Sequence, residues 1–150
     1  MNKRIGRLIA VLYRKNQMFL SQALKPYGIT TAEYPLLITL NYSDGVTQEE
    51  IAGRISMDKS AVARAIQTLE SKELIIKNKD LKDQRSNRIY LTTKGREVIK
   101  PIDKTLDELN DLLMKDIDID KREEIHLLLA QMVENHIIGQ EKNDGRIKEK

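Results

Sequence analysis

The side chains with the clearest chemical potential in this sequence are hydrogen-bonding groups on one face of a predicted helix. Apolar residues recur at helical spacing across residues 59–72, and a rotation of about 100° per residue puts Ser60, Arg64 and Gln67 on the opposite face. Arginine can donate two hydrogen bonds to guanine, glutamine can pair with adenine, and serine reaches phosphates or base edges. The outer face carries no acid, which favours contact with nucleic acid over the alternative, an ordinary solvent-exposed face.

The stretch KNKDLKDQRSNRIYLT, residues 77–92, holds seven charged side chains in its first twelve residues and ends in an alternating apolar run. Two short runs of strand-forming residues flank a loop rich in Asp, Ser and Asn, which predicts a β-hairpin. Lys77, Lys79 and Lys82 would attract phosphates regardless of base sequence.

Charge is distributed unevenly along the 150 residues, although the net charge is only +3. Residues 1–56 carry +3, residues 57–96 carry +5 and residues 97–150 carry −5. A basic middle followed by an acidic C-terminal third indicates that one surface faces a polyanion.

Residues that would support catalysis or metal binding are scarce. There is no cysteine, and the two histidines, His126 and His136, lie ten residues apart without a His-x-x-x-His pairing. The sequence contains no Walker loop, G-x-S-x-G or dinucleotide-binding glycine motif. We therefore expect no catalytic residues, no metal site and no cofactor, and a protein that is not an enzyme.

The N-terminus and the hydropathy pattern predict a cytoplasmic protein without membrane contact. The first ten residues, MNKRIGRLIA, lack the apolar core and the cleavage site of a signal peptide. No apolar run approaches the roughly 18 to 20 residues that cross a bilayer. The length is typical of one domain.

Three helices are predicted before the one at residues 59–72. The first covers residues 4–24, and the second runs to about residue 42 with Thr30 or Thr31 as its N-cap. The third is opened by the capping box Thr47-Gln48-Glu49-Glu50 and is followed, after a short turn, by Asp58 as the N-cap of the next helix. This order predicts a helix-turn-helix, and the hairpin after it makes a winged helix.

Two long helices follow the hairpin. The first begins at Thr92 or Thr93 and contains Pro101, which predicts a kink. A box-like cap at Asp120 opens the last helix, and residues 141–150 are predicted to form a disordered tail. The predicted fold class is mainly α with a small β-hairpin wing: a winged helix-turn-helix lobe plus a region built from the N- and C-terminal helices.

The order of these elements and several short motifs resemble the MarR family of bacterial transcription regulators over nearly the whole chain. The most specific matches are to the family's wing signature, namely Asp83-Gln84-Arg85, Leu91-Thr92 and Gly95. Supporting matches are Lys59-Ser60-Ala61-Val62 and Leu69-Glu70-x-Lys72-x-Leu74-Ile75.

The resemblance implies a homodimeric regulator, expected to act as a repressor, on a palindromic double-stranded DNA operator. It assigns residues 1–29 and 97–140 to a helical dimerisation region and residues 30–96 to the DNA-binding lobe. The helix at residues 59–72 would enter the major groove and the wing at residues 77–92 the minor groove. The alternative is a winged-helix module that binds protein rather than DNA.

Roles can be predicted for individual residues of the wing and of the start of the third helix. Arg85 would enter the minor groove, and Asp83 would support the wing by pairing with an arginine. Arg88 would either brace the hairpin or contact phosphate, while the amides at Thr47 and Gln48 would bind phosphate. The complete set of predicted DNA-binding residues is Thr47, Gln48, Lys59, Ser60, Ala61, Arg64, Gln67, Lys79, Arg85 and Arg88.

The family also implies a small effector that releases the DNA. A phenolic compound or another small aromatic anion is expected between the first, second and fifth helices. Arg14, Tyr27 and Tyr34 are the residues predicted to contact it.

Overall fold

A computed structural model describes residues 4–143 of the chain. It is mainly helical with one small antiparallel sheet, which confirms the predicted fold class. In chain order the elements are α1 (Ile5–Leu24), α2 (Tyr34–Tyr42), β1 (Val46–Thr47), α3 (Gln48–Ile55), α4 (Lys59–Ser71), β2 (Ile75–Lys79), β3 (Asn87–Leu91), α5 (Thr93–Leu113) and α6 (Ile119–Asn143).

Helices α3 and α4 form the predicted helix-turn-helix, and local bonds define where each begins. The Glu50 amide donates to Thr47 Oγ1 at 3.2 Å while the Thr47 amide donates to the Glu50 carboxylate at 2.9 Å, which completes the predicted capping box. Asp58 is the N-cap of α4, as predicted. The predicted apolar stripe of α4 is buried, at Val62, Ala65, Ile66 and Leu69.

Strands β2 and β3 form the predicted hairpin, and β1 extends it to a three-stranded antiparallel sheet in the order β1-β3-β2. Val46 pairs with Ile89, and Lys79 pairs with Asn87 at the far end of the hairpin. Strand β1 was not predicted because two residues are too few to show the alternation that identifies a strand. Since β1 leads directly into α3, the sheet connects the wing to the helix-turn-helix.

Helix α2 begins later than the sequence predicted. It starts at Tyr34 with Glu33 in the N-cap position, so neither Thr30 nor Thr31 caps it. The Glu33 carboxylate instead accepts the Thr30 amide at 2.9 Å and closes a turn ahead of the helix. Pro35 lies in the first helical turn, where a missing amide is tolerated.

The fold divides into two compact units, with the boundary inside α5 between Leu109 and Asn110. In the second unit α6 begins at Ile119, so Asp120 lies in the first turn rather than at the N-cap. The negative charge of Asp120 still stabilises α6, because it lies near the positive end of the helix dipole. Helix α6 extends to Asn143, so residues 141–143 of the predicted tail are helical, and residues 144–150 lie outside the described residues.

Helices α1 and α6 each carry large apolar side chains that are exposed in this single chain. On α1 they are Ile5, Leu8, Ile9, Leu12, Tyr13 and Met18, and on α6 they are Ile119, Leu127, Leu128, Leu129, Val133, Ile137 and Ile138. Exposed apolar surface of this kind marks interaction sites. None of the described helices combines the length and the apolar composition that crossing a bilayer requires.

Candidate nucleic-acid interface

The outer face of α4 is open to solvent and carries the residue types predicted for it. Ser60, Arg64 and Gln67 are exposed, and Ala61 is half-buried at the edge of the face. Near the end of the helix the Thr68 hydroxyl donates to the Arg64 carbonyl oxygen at 3.0 Å and is thereby turned onto the helix backbone. Arg64 and Gln67 are therefore the long hydrogen-bonding side chains that this face presents.

Asp58 organises the start of α4 and engages Ser60. Its Oδ1 atom accepts the Ser60 hydroxyl at 2.5 Å and the Ala61 amide at 2.8 Å. Because these bonds, led by that from Ser60, stabilise the carboxylate, they lower the pKa of Asp58. At pH values above the ordinary carboxyl pKa the cap therefore stabilises α4 fully. This stabilisation is lost as the pH falls through the lowered pKa of Asp58. Because the Ser60 hydroxyl donates its proton to Asp58, it can only accept a hydrogen bond from a ligand.

Four predicted residues from three parts of the chain meet at one cavity of about 270 Å³. Thr47 and Gln48 come from the start of α3, Lys59 from the start of α4 and Arg85 from the wing loop. The other lining residues are Glu49, Ser86 and Asn87. Lys59 Nζ lies 3.3 Å from a carboxylate oxygen of Glu49, but both side chains are about four-fifths exposed, so the pair is weak and Lys59 can exchange partners.

The Thr47 amide cannot bind phosphate as the sequence predicted. It already donates to the Glu50 carboxylate at 2.9 Å, as part of the capping box. One N–H group makes one strong hydrogen bond, so this part of the prediction is wrong. Gln48 is half-buried at the same cavity, where its contact with a phosphate remains a prediction.

Arg88 braces the wing, which is one of its two predicted roles, and its contact with phosphate remains a prediction. Its Nε donates to Asp80 Oδ2 at 3.1 Å, and a terminal guanidinium nitrogen donates to the Gly45 carbonyl oxygen at 2.7 Å. The bond to Asp80 closes the hairpin internally, and the bond to Gly45 ties the hairpin to the loop before β1. The pKa of Asp80 is lowered, first by the bond from the Lys82 amide and further by Arg88.

Asp83 supports the wing, but not by pairing with an arginine side chain. Its Oδ1 accepts the backbone amide of Arg85 at 3.0 Å, and its Oδ2 accepts the Ser86 hydroxyl at 3.4 Å. The acid that pairs with an arginine in this wing is Asp80. The predicted pairing is therefore wrong, since Asp83 closes the turn locally and leaves the Arg85 side chain exposed.

The wing lysines differ in their surroundings. Lys77 Nζ lies 3.1 Å from the Glu70 carboxylate, so its charge is partly offset within the protein. Lys79 and Lys82 are exposed, and within residues 4–143 neither makes an ion pair. Lys79 and Lys82 are thus the wing lysines best placed to meet an outside anion.

A second cavity, of about 380 Å³, contains one of the three predicted effector residues. Tyr34 lines it, and Arg14 and Tyr27 do not. The lining also includes Tyr13, Gln17, Thr31, Ala32, Pro35, Ile55, Ser56 and Met57. Burial, and then the neighbouring Tyr13, raise the pKa of the Tyr34 hydroxyl, which keeps it protonated. Tyr13 and Gln17 were not predicted to line this cavity, although their i, i+4 spacing places both on one face of α1.

Comparison with known proteins agrees with this architecture. The family model described as MarR family matches residues 29–86. A MarR transcriptional regulator from Methanosarcina mazei Go1, known from its crystal structure, is 35% identical, with a TM-score of 0.82 over 89% of this chain and 96% of that chain. The chain belongs to the MarR family of transcriptional regulators.

Two further relatives share less identity. A mutant MarR from Escherichia coli, crystallised in complex with operator DNA, is 26% identical, with a TM-score of 0.77 and coverage of 85% of this chain and 92% of that one. The HTH-type transcriptional regulator YdgJ of Bacillus subtilis (strain 168) is 27% identical over 108 residues. That match covers 72% of this chain and 66% of YdgJ.

Thr92 and Gly95, which belong to the part of the MarR wing signature that follows the β2–β3 loop, connect the wing to α5. The Thr92 hydroxyl donates to the Glu73 carbonyl oxygen at 2.7 Å and accepts the Gly95 amide at 3.0 Å, so Thr92 caps α5. A Cβ atom on Gly95 would lie 2.1 Å from the Leu74 carbonyl oxygen. Glycine is required at this position because α5 passes against the backbone that enters β2.

An ion pair at the end of α4, between a buried carboxylate and a partly exposed lysine, was also missed. Lys72 Nζ donates to both carboxylate oxygens of Glu33 at 2.8 Å and to the Gly28 carbonyl oxygen at 2.7 Å. Glu33 is only 3% exposed. No local pattern links the two residues, which are 39 apart in sequence, yet their contact holds the C-terminal end of α4 against the segment before α2.

Proposed function

We propose that this MarR-family protein binds a palindromic double-stranded DNA operator as a homodimer, in the role of a repressor. Helix α4 would read the major groove and the wing, residues 77–92, the minor groove. The observation that carries the proposal is the convergence of Lys59, Gln48 and Arg85 at one cavity beside the acid-free outer face of α4. The relative crystallised with operator DNA supports the same class of ligand.

The side chains divide into those that would recognise base edges and those that would position the protein on the DNA backbone. Arg64 and Gln67 would hydrogen-bond base edges in the major groove. Arg85 would enter the minor groove, where a narrow groove concentrates negative potential. Lys59 and Lys79 would contact phosphates and set the position of the protein on the duplex.

A second copy of the chain would cover the exposed apolar residues of α1 and α6. We assign residues 1–29 and 97–140 to this dimerisation region and residues 30–96 to the DNA-binding lobe. Two-fold symmetry would match the two lobes to the two halves of a palindrome.

The cavity at Tyr13 and Tyr34 is our candidate for an effector site. Its aromatic rings and the protonated Tyr34 hydroxyl suit a small phenolic ligand. No lysine or arginine is among its lining residues, which favours a neutral phenol over the aromatic anion expected from the family.

Removing the Arg64 side chain is expected to weaken operator binding and to relax base preference. Arg64→Ala should cost roughly 1 to 3 kcal/mol per contact, because a bidentate base contact is lost. Binding would be measured by fluorescence anisotropy on the DNA upstream of the protein's own gene and on single-base variants of the site. Arg64→Lys is the matched control, since it keeps the charge but not the bidentate geometry.

Arg85→Ala, measured in parallel, tests the minor-groove role of the wing. If the parent protein does not bind, or if Arg64→Ala and Arg85→Ala both bind as well as the parent, the proposal is wrong. A parent that binds no DNA would instead favour the winged-helix protein-interaction module.

Lys79→Ala is expected to weaken binding to all DNA sequences alike. Loss of one phosphate contact in each subunit should reduce the magnitude of the slope of log K against log salt concentration by about one per subunit. The measurement is a salt titration on specific and unrelated duplexes, with Lys104→Ala, an exposed lysine on α5, as the charge-matched control. A changed base preference in Lys79→Ala would contradict the proposed role of Lys79 as a phosphate contact.

A further inference from the structure

The tip of the wing displays a leucine with almost no protein contact. Leu81 is 98% exposed, the highest exposure among the large apolar side chains of the described residues. It lies in the loop between β2 and β3. Turns usually contain polar or small residues, because these hydrogen-bond to the nearby backbone or tolerate its tight conformations. Single exposed apolar residues are common on protein surfaces, so the exposure needs a second observation to carry meaning.

That second observation is the bonding of the loop around Leu81. Asp80 Oδ1 accepts the amide of Lys82 at 2.9 Å, so Leu81 is the central residue of an Asx turn. The Asp80 amide donates to the Ser86 carbonyl oxygen at 3.0 Å and closes the loop. Asp80 itself is held by Arg88, which is anchored in turn on the Gly45 carbonyl oxygen. The loop therefore holds Leu81 outward through a chain of specific bonds.

The charges beside Leu81 indicate what surface it meets. Lys82 and Arg85 are exposed in the same loop, while the carboxylates of Asp80 and Asp83 are engaged by backbone amides. The wing loop thus presents one apolar side chain, Leu81, together with two cations, Lys82 and Arg85. A DNA minor groove offers the complement, since phosphates line its edges and deoxyribose and base edges form its walls and floor.

We propose that Leu81 enters the minor groove beside Arg85 and packs against deoxyribose or base edges. The proposal rests on the proposed DNA-binding function and names a contact residue that carries no charge. The benefit comes from removing apolar surface from water at the interface, so it requires no new ion pair. Arg85 and Lys82 bring the tip to the groove, and Leu81 adds a contact that salt does not screen.

The test compares Leu81→Ala and Leu81→Asn with the parent on the same operator. We expect each to weaken binding by roughly 10-fold or more, as suits the loss of a buried leucine side chain. The salt slope should stay that of the parent, whereas Lys82→Ala should reduce its magnitude by about one per subunit. Leu81→Met keeps an apolar side chain of similar size and is expected to bind within about 3-fold of the parent.

Hydroxyl-radical footprinting locates the contact, because it reports the accessibility of deoxyribose hydrogens in the minor groove. Protection of the sugars at the wing positions should be reduced in Leu81→Ala and retained in Leu81→Met. The thermal midpoint of the free protein should not change in either variant, because Leu81 makes almost no contact within the protein.

The outcomes separate this inference from the proposed function. If the parent binds DNA and Leu81→Ala binds equally well, the minor-groove role of Leu81 is wrong and DNA binding stands. A lower salt slope in Leu81→Ala would also overturn it, since the lost contact would then be ionic. A parent that does not bind DNA overturns both proposals.

Discussion

Gly95→Ala is expected to lower the free energy of unfolding by about 3 kcal/mol, at the upper end of the cost of overpacking. The added Cβ would lie 2.1 Å from the Leu74 carbonyl oxygen, and the Leu91 side chain would be 3.2 Å away. A backbone carbonyl cannot move aside as the end of a flexible side chain can. Relief would therefore require α5 to separate from the segment that enters β2, against the bonds that the hydroxyl and the amide of Thr92 donate to the carbonyl oxygens of that segment.

The measurement is urea denaturation followed by circular dichroism, with Gly53→Ala as the control. Gly53 is in α3, and a Cβ atom there would have no neighbour within 4 Å. Alanine is the better helix former by about 1 kcal/mol, so Gly53→Ala should raise stability. If both substitutions changed the stability equally, close packing at Gly95 would not explain why the wing signature includes this glycine.

Glu33→Ala is expected to cost about 3 kcal/mol of stability. Glu33 is 3% exposed, and its carboxylate accepts bonds from Lys72 Nζ and from the Thr30 amide. Removing one partner of a buried pair costs about 3 to 5 kcal/mol, because the other charge is left without compensation. The lower end applies here, since the Lys72 side chain keeps 32% exposure and can be partly rehydrated.

A double-mutant cycle with Lys72→Met separates the pair from the other contacts of each residue. Once Lys72 is absent, Glu33→Ala should cost much less than in the parent. The matched control is Glu108→Ala, whose partner Lys104 lies 4.0 Å away on the exposed side of α5, and which should change stability by less than about 0.5 kcal/mol. Additive losses in the cycle would mean that Glu33 and Lys72 stabilise the fold independently.

The Glu33–Lys72 pair would also bear on the proposed role of α4 in DNA recognition. Lys72 follows the last residue of α4, so the pair fixes the far end of the helix that presents Arg64 and Gln67. At its other end the same helix is fixed by the Asp58 cap. A helix held at both ends presents its outer face with little conformational freedom to lose on binding, which reduces the entropic cost of recognition.

By itself the sequence determined those features that depend on residues close together in the chain. The Thr47–Glu50 capping box, the Asp58 cap and the apolar stripe of α4 all lie within three or four residues, which is the reach of a helical turn. The wing hairpin and its signature were equally readable, as was the acid-free outer face of α4. These patterns were sufficient to predict a winged helix and its resemblance to the MarR family.

The tertiary structure alone decided which partner each polar side chain takes. Arg88 was left between two roles because Gly45, one of its partners, is 43 residues away, and Lys72 takes an acid 39 residues away. Strand β1 exists only because β3 lies beside it. A charged side chain bonds to whatever the fold brings within about 3 Å. Local periodicity specifies elements, whereas polar contacts across the fold depend on how those elements pack.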